Sequence, residues 1–188
     1  MGVLEMKQFI VAAAMVLGLS QAASAADYYA EFFGGVSSSP DLTWGGSDYN
    51  MDNGHNIGGS LGRTIAPTIT AELEAFHTTR DYACCTSSLR SLSIMGNVYY
   101  TMPFNMVDLY VGPGLGMINV EYDGYGTTDG EWVPGWQLIG GLTVPVYKDV
   151  SLLGEYRYQN TFSDASINGG TDVEYLSHNL SIGLRIKF

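Results

Sequence analysis

The sequence predicts an all-β fold, an eight-stranded antiparallel up-and-down transmembrane β-barrel, from three observations. The first is a period-two pattern. In 175–188, Leu176, Leu180, Ile182, Leu184, Ile186 and Phe188 fall on one parity, while Ser177, Asn179, Ser181, Gly183, Arg185 and Lys187 fall on the other. That makes a strand with one apolar and one polar face, long enough to cross a bilayer at a tilt. The second is a sorting of connections. Short proline-bearing turns at Pro67, Pro103 and Pro145 alternate with long polar loops, as expected of a barrel with its short turns on one side of a membrane. The third is the amino terminus, which carries an export segment.

Lys7 precedes an apolar run over 9–19, and Ala23-Ser24-Ala25 then offers a small-x-small cleavage site. Residues 1–25 therefore read as a secretory signal peptide, the run being too short for a membrane helix. Met6-Lys7 makes a better start than Met1, since Glu5 is out of place in a basic leader. Residues 26–188 form one domain, with no later apolar run of helix-spanning length.

The strands follow in order. The first, 28–37, alternates Tyr28, Ala30, Phe32 and Val36 against Tyr29, Glu31 and Phe33. A polar loop over 37–53 leads to the second strand, 56–64, with Ile57 and Leu61 opposite Asn56 and Ser60. After the turn at 65–68, the third strand, 69–78, sets Ile69, Ala71, Leu73 and Ala75 against Thr70, Glu72, Glu74 and Phe76, so the two glutamates project together. A loop over 79–88 holds Arg80, Asp81 and the adjacent Cys84-Cys85. The fourth strand, 89–100, opposes Leu92, Ile94, Val98 and Tyr100 to Ser91, Ser93, Asn97 and Tyr99.

The turn at 101–105 opens the fifth strand, 107–120. Its alternation breaks at Asn119, which takes the parity of Leu115 while Ile118 and Val120 take the other; a bulge near Gly116 would restore the register. A loop over 121–131 precedes the sixth strand, 132–144, with Trp136, Leu138 and Leu142 opposite Gln137 and Thr143. The turn at 145–149 gives the seventh, 150–160, with Leu152, Tyr156 and Tyr158 opposite Glu155, Arg157 and Gln159. The loop over 161–174 leads to the eighth, 175–188. Backbone groups in lipid must all be paired, so the first strand must close on the last.

Composition excludes several functions. A net charge of −11, with only 8 Lys and Arg, leaves no cationic face for nucleic acid. The vicinal cysteines are the only ones, so a disulfide framework is excluded, and no spacing suits zinc. Ten acidic residues lie in or beside the four long loops: Asp41, Asp48, Asp52, Asp81, Asp123, Asp129, Glu131, Asp164, Asp172 and Glu174. Their spacing is not that of a calcium loop.

The segments 110–116 (YVGPGLG), 150–158 (VSLLGEYRY) and 178–188 (HNLSIGLRIKF) resemble the small outer-membrane β-barrel proteins, the OmpA-like membrane-domain group also called porin-family proteins. The resemblance spans the mature chain and specifies fold and location better than activity. It implies the outer membrane of a Gram-negative bacterium. It also makes Phe188 the carboxy-terminal signal for the barrel-assembly machinery, and outer-membrane lipids and lipopolysaccharide the surroundings, with host or surface ligands engaging the loops. Full-length OmpA carries a peptidoglycan-binding domain; with Phe188 read as the terminal signal, none is expected here.

Eight strands leave an interior that side chains can fill. The expected lumen network is Glu31, Glu72, Glu74, Glu155, Arg157, Arg185 and Lys187, with arginines pairing to glutamates because an unpaired charge there would be costly. A structural plug and a narrow gated pore are both compatible with that set. Tyr28, Tyr100, Trp132, Trp136, Tyr156, Tyr158 and Tyr175 are expected as interface girdles. Some similar barrels modify lipid A. Here Ser177 and His178 face opposite sides of the wall, and His77 and His55 lack a serine and acid at suitable spacing. No catalytic residue, metal or cofactor is assigned.

Overall fold

The computed structural model describes residues 28–38, 42–44, 47–49, 53–81, 88–124, 127–167, 171–173 and 175–188. The signal peptide and Cys84-Cys85 lie outside the described residues. Strands β1 (Tyr28–Ser38), β4 (Gly54–Ala66), β5 (Ile69–Asp81), β6 (Ser88–Phe104), β7 (Val107–Gly124), β8 (Thr127–Tyr147), β9 (Val150–Thr161) and β12 (Leu176–Lys187) close into one antiparallel barrel. Closure falls between β1 and β12, where Glu31 lies opposite Arg185 and Phe32 opposite Leu184. Two short hairpins rise from stretches expected as plain loops: β2 (Leu42–Trp44) with β3 (Ser47–Tyr49), and β10 (Ala165–Ile167) with β11 (Thr171–Val173).

The short turns are shorter than expected because the strands run on into them. They reduce to Pro67-Thr68, Asn105-Met106 and Lys148-Asp149. Asn105 takes φ 59°, a left-handed conformation that asparagine tolerates better than other side-chain-bearing residues. The other two hairpins absorb a register shift, at Thr64/Ala66 and at Pro145/Tyr147; Pro67 lies in its turn and Pro145 borders its bulge, positions where a missing N–H is tolerated.

At the other end β7 and β8 continue as one long hairpin to Gly124 and Thr127, across most of the stretch expected as a third loop. The bulge expected near Gly116 does not occur: both ladders of β7 hold one register throughout. Ile118 and Val120 simply point inward and are fully buried. They join Leu89, Met95, Val133, Ala165 and Tyr175 in an apolar cluster inside the loop end of the barrel, while Asn119 and Glu121 face out. A tilted strand needs about 9–11 residues to span a bilayer; β7 has 18 and β8 has 21. Above the membrane the outside is water and the inside is dry, so the apolar parity swaps with no break in the ladder.

Candidate lumen site

The molecule is inside-out relative to a water-soluble protein. Its outer surface is apolar: Phe32 is 66% exposed, Leu115 63% and Ile182 75%. Its interior is polar: Glu31, Glu72, Glu74, Arg80, Asn97, Gln137, Glu155, Arg157 and Gln159 are all buried. Period two places both sets, because residues on one parity share one side of the wall.

At mid-height Arg157 on β9 donates from one Nη2 to Glu74 Oε2 and Glu155 Oε1, each at 2.5 Å. Its guanidinium lies 4.0 Å from the Phe76 ring centroid. Gln137 on β8 donates to Glu74 at 3.1 Å and to Asn97 at 2.7 Å. Gln159 donates to Gln137 at 3.1 Å and to Ser93 at 3.0 Å. Below this layer, towards the short turns, Arg185 pairs with Glu31 at 2.5 Å. Glu72 has no ion pair among those described; it accepts hydrogen bonds from Tyr29 at 2.9 Å, Tyr99 at 3.0 Å and Asn97 at 3.2 Å. Tyr110 donates to Glu155 at 3.1 Å.

Glycines make the room. A Cβ at Gly62 would sit 2.1 Å from Tyr29, and one at Gly141 would sit 2.5 Å from Tyr110. Each tyrosine thus folds flat over a neighbouring strand and delivers its hydroxyl to a glutamate. Bulky side chains over bare backbone fill the narrow lumen.

Of the expected set, Glu31, Glu74, Glu155, Arg157 and Arg185 come together as ion pairs, and Glu72 joins through neutral donors. Lys187 does not join. It lies on the same parity as Arg185 but opposite Tyr29 near the end of the ladder, exposed at the rim, where the strand has run out of barrel. Tyr175 is also corrected: it is no girdle residue but is buried, its hydroxyl 2.7 Å from Ser91 Oγ and donating to Gln159 Oε1 at 3.2 Å. Tyr28 stacks on Phe188 at the short-turn end. At the loop end Trp136, Tyr158, Tyr156 and His178 form a continuous outer cluster, with Tyr156 Oη 2.6 Å from His178 Nδ1.

Ser177 is buried in the lumen while His178 faces out, and His77 Nε2 lies 3.1 Å from Thr79 Oγ1 on the outer face. One lumen cation escaped the sequence reading. Arg80, placed there in a loop, is the next-to-last residue of β5 and is 1% exposed. It shares the parity of Glu72, Glu74, Phe76 and Thr78, and extending that pattern by two residues finds it.

An apolar belt around a closed, polar-filled, eight-stranded wall defines a transmembrane β-barrel of the outer-membrane type. The chain belongs to the outer membrane protein beta-barrel domain family, whose model matches residues 9–188. It is an outer-membrane protein. Among solved structures it is similar to Neisserial surface protein A, with 20% identity, 86% of this chain and 97% of that one covered, and a TM-score of 0.67. It is also similar to Ail, the attachment invasion locus protein of Yersinia pestis, solved with the heparin analogue sucrose octasulfate (12% identity, 88% and 100% covered, TM-score 0.57). A third likeness is to the N-terminal β-barrel domain of Pseudomonas aeruginosa OprF (15% identity, 86% and 97% covered, TM-score 0.51). At these identities the likeness is one of fold. No curated protein matches the chain.

Proposed function

We propose that the protein is a closed structural barrel with no chemistry of its own, whose outer loops carry its interactions. The observation that supports closure is the Arg157 layer. One guanidinium holds glutamates of two strands, and Gln137, Asn97 and Gln159 extend the bonding across the lumen. Tyr175 and the apolar cluster of Ile118, Val120 and Val133 lie above it. Recording from purified folded protein in a planar bilayer tests this: the closed barrel gives no stable conducting steps, and reproducible steps would establish a narrow pore instead.

The signal peptide directs export and is removed after residue 25, and the barrel-assembly machinery reads Phe188, whose ring stacks on Tyr28. Replacing Phe188 with alanine should lower the outer-membrane yield without changing the unfolding midpoint of refolded protein. Outer-membrane lipids and lipopolysaccharide surround the belt. The acidic residues in and beside the loops make a large polyanion such as sucrose octasulfate an unfavourable partner here and favour cationic surface ligands. Lipid A should give identical mass spectra with and without the protein; a difference would make the protein an enzyme.

A further inference from the structure

We infer that the outer part of the lumen holds a binding site for a phosphate-class oxyanion, with Arg80 as its cation. The three lumen arginines are not equivalent. Arg157 has two carboxylates and Arg185 has one. Arg80 is 1% exposed, and no carboxylate lies against it in any described ion pair. Only its Nε is used, donating to Ser37 Oγ at 3.1 Å. Both terminal nitrogens, Nη1 and Nη2, are buried without a hydrogen-bond partner. Arg157 also has idle nitrogens, but two carboxylates balance its charge. Water could satisfy the N–H groups of Arg80 but not its charge, and an uncompensated buried charge is the costly case.

The surroundings fit an oxyanion. The Arg80 side chain runs past Gly54, where an added Cβ would sit 2.5 Å from its Cγ. Its guanidinium lies 5.6 Å from the Tyr175 ring centroid. Hydroxyl and amide groups gather beside it: Ser37 Oγ lies 3.4 Å from Ser177 Oγ, to which Asn179 Nδ2 donates at 2.8 Å. Two free N–H groups on one planar fork match the oxygens of a phosphate or sulfate. Ser37 and Asn179 of this cluster also line a cleft of about 220 Å³, together with Val36, Tyr156, His178 and Leu180; Arg80 lies behind Ser37 and is not part of that lining. Such an oxyanion has two sources, a free ion from water and the phosphate of a lipid headgroup in the outer leaflet.

The test uses the full barrel refolded in neutral detergent in Tris-chloride buffer, with the unfolding midpoint read by tryptophan fluorescence. One arm adds inorganic phosphate at constant ionic strength; the other adds micellar phosphatidic acid. A saturable rise of the wild-type midpoint in either arm is expected. It should be absent in Arg80→Gln and need at least about ten times more ligand in Arg80→Lys, which keeps the charge but loses the fork. A rise in both arms assigns a free ion, and a rise with phosphatidic acid alone assigns a headgroup. No saturable rise in either arm, or an equal rise in Arg80→Gln, would overturn the site. If Arg80→Gln does not fold, wild-type crystals soaked in selenate decide: an anomalous peak within hydrogen-bond distance of Nη1 or Nη2 supports the site, and its absence overturns it.

Discussion

Replacing Arg157 with methionine is the sharpest test of how the lumen is held. The substitution roughly keeps the volume and the contact with Phe76 but strands Glu74 and Glu155. Each of these accepts from the same Nη2 at 2.5 Å, with side chains no more than 2% exposed. Removing one partner of a buried ion pair costs about 3–5 kcal/mol, because the other charge is left unpaired. Here two charges are left, while Gln137 still donates to Glu74 and Tyr110 to Glu155, so the loss should stay within about 3–5 kcal/mol. That is roughly two to four powers of ten in the folding equilibrium. The triple variant Arg157→Met, Glu74→Gln, Glu155→Gln should recover most of it, since a neutral set strands no charge. Urea titration of refolding into lipid vesicles measures both. A single-variant loss under about 1 kcal/mol would refute the view that this cluster is dry and cross-bonded, and would point to water in its place. In a planar bilayer the same variant separates plug from pore: an altered conductance favours the pore, an altered midpoint alone the plug.

Other outcomes follow from the same geometry. Ile182→Arg, on the lipid face near mid-strand, should cost about 2–4 kcal/mol in vesicles, whereas Asn119→Arg, outward but above the belt, should cost under about 1 kcal/mol. Gly141→Ala should displace Tyr110 from its place over the backbone and cost about 1–3 kcal/mol, seen as a lower unfolding midpoint. Tyr175→Phe removes the hydroxyl shared by Ser91 and Gln159 and should cost about 1–3 kcal/mol in the same titration; no change would place that hydroxyl in water.

Parity carried most of the fold. Phe32, Ile57, Leu92, Leu138, Leu152 and Ile182 were legible as outward residues, and Glu31, Glu74, Glu155 and Arg157 as inward ones, because a strand crossing lipid must keep strict alternation. What was not legible begins where the lipid ends. Ile118, Asn119 and Val120 look out of register only if the outside is taken to be apolar along the whole strand. Tyr175 could not be sorted by residue type, since a tyrosine serves equally at a headgroup or over a glutamine. Lys187 was misplaced for the converse reason: parity gives a direction but not a depth. Which arginine meets which glutamate depends on side-chain reach across neighbouring strands, and no spacing within one strand encodes that. Nor does the pattern reveal that Glu72 rests on Tyr29, Tyr99 and Asn97 rather than on a cation.

The change of sides along β7 also fixes the altitude of the molecule. A shift of two residues along a tilted strand moves it by about 5 Å relative to the bilayer. Sinking by that step would press Asn119 and then Glu121 into hydrocarbon, and rising by it would lift Leu115 and Met117 into water. Strand β7 thus works as a waterline, and every group on the outer rim, the cleft beside His178 included, is held at a set depth against the headgroups.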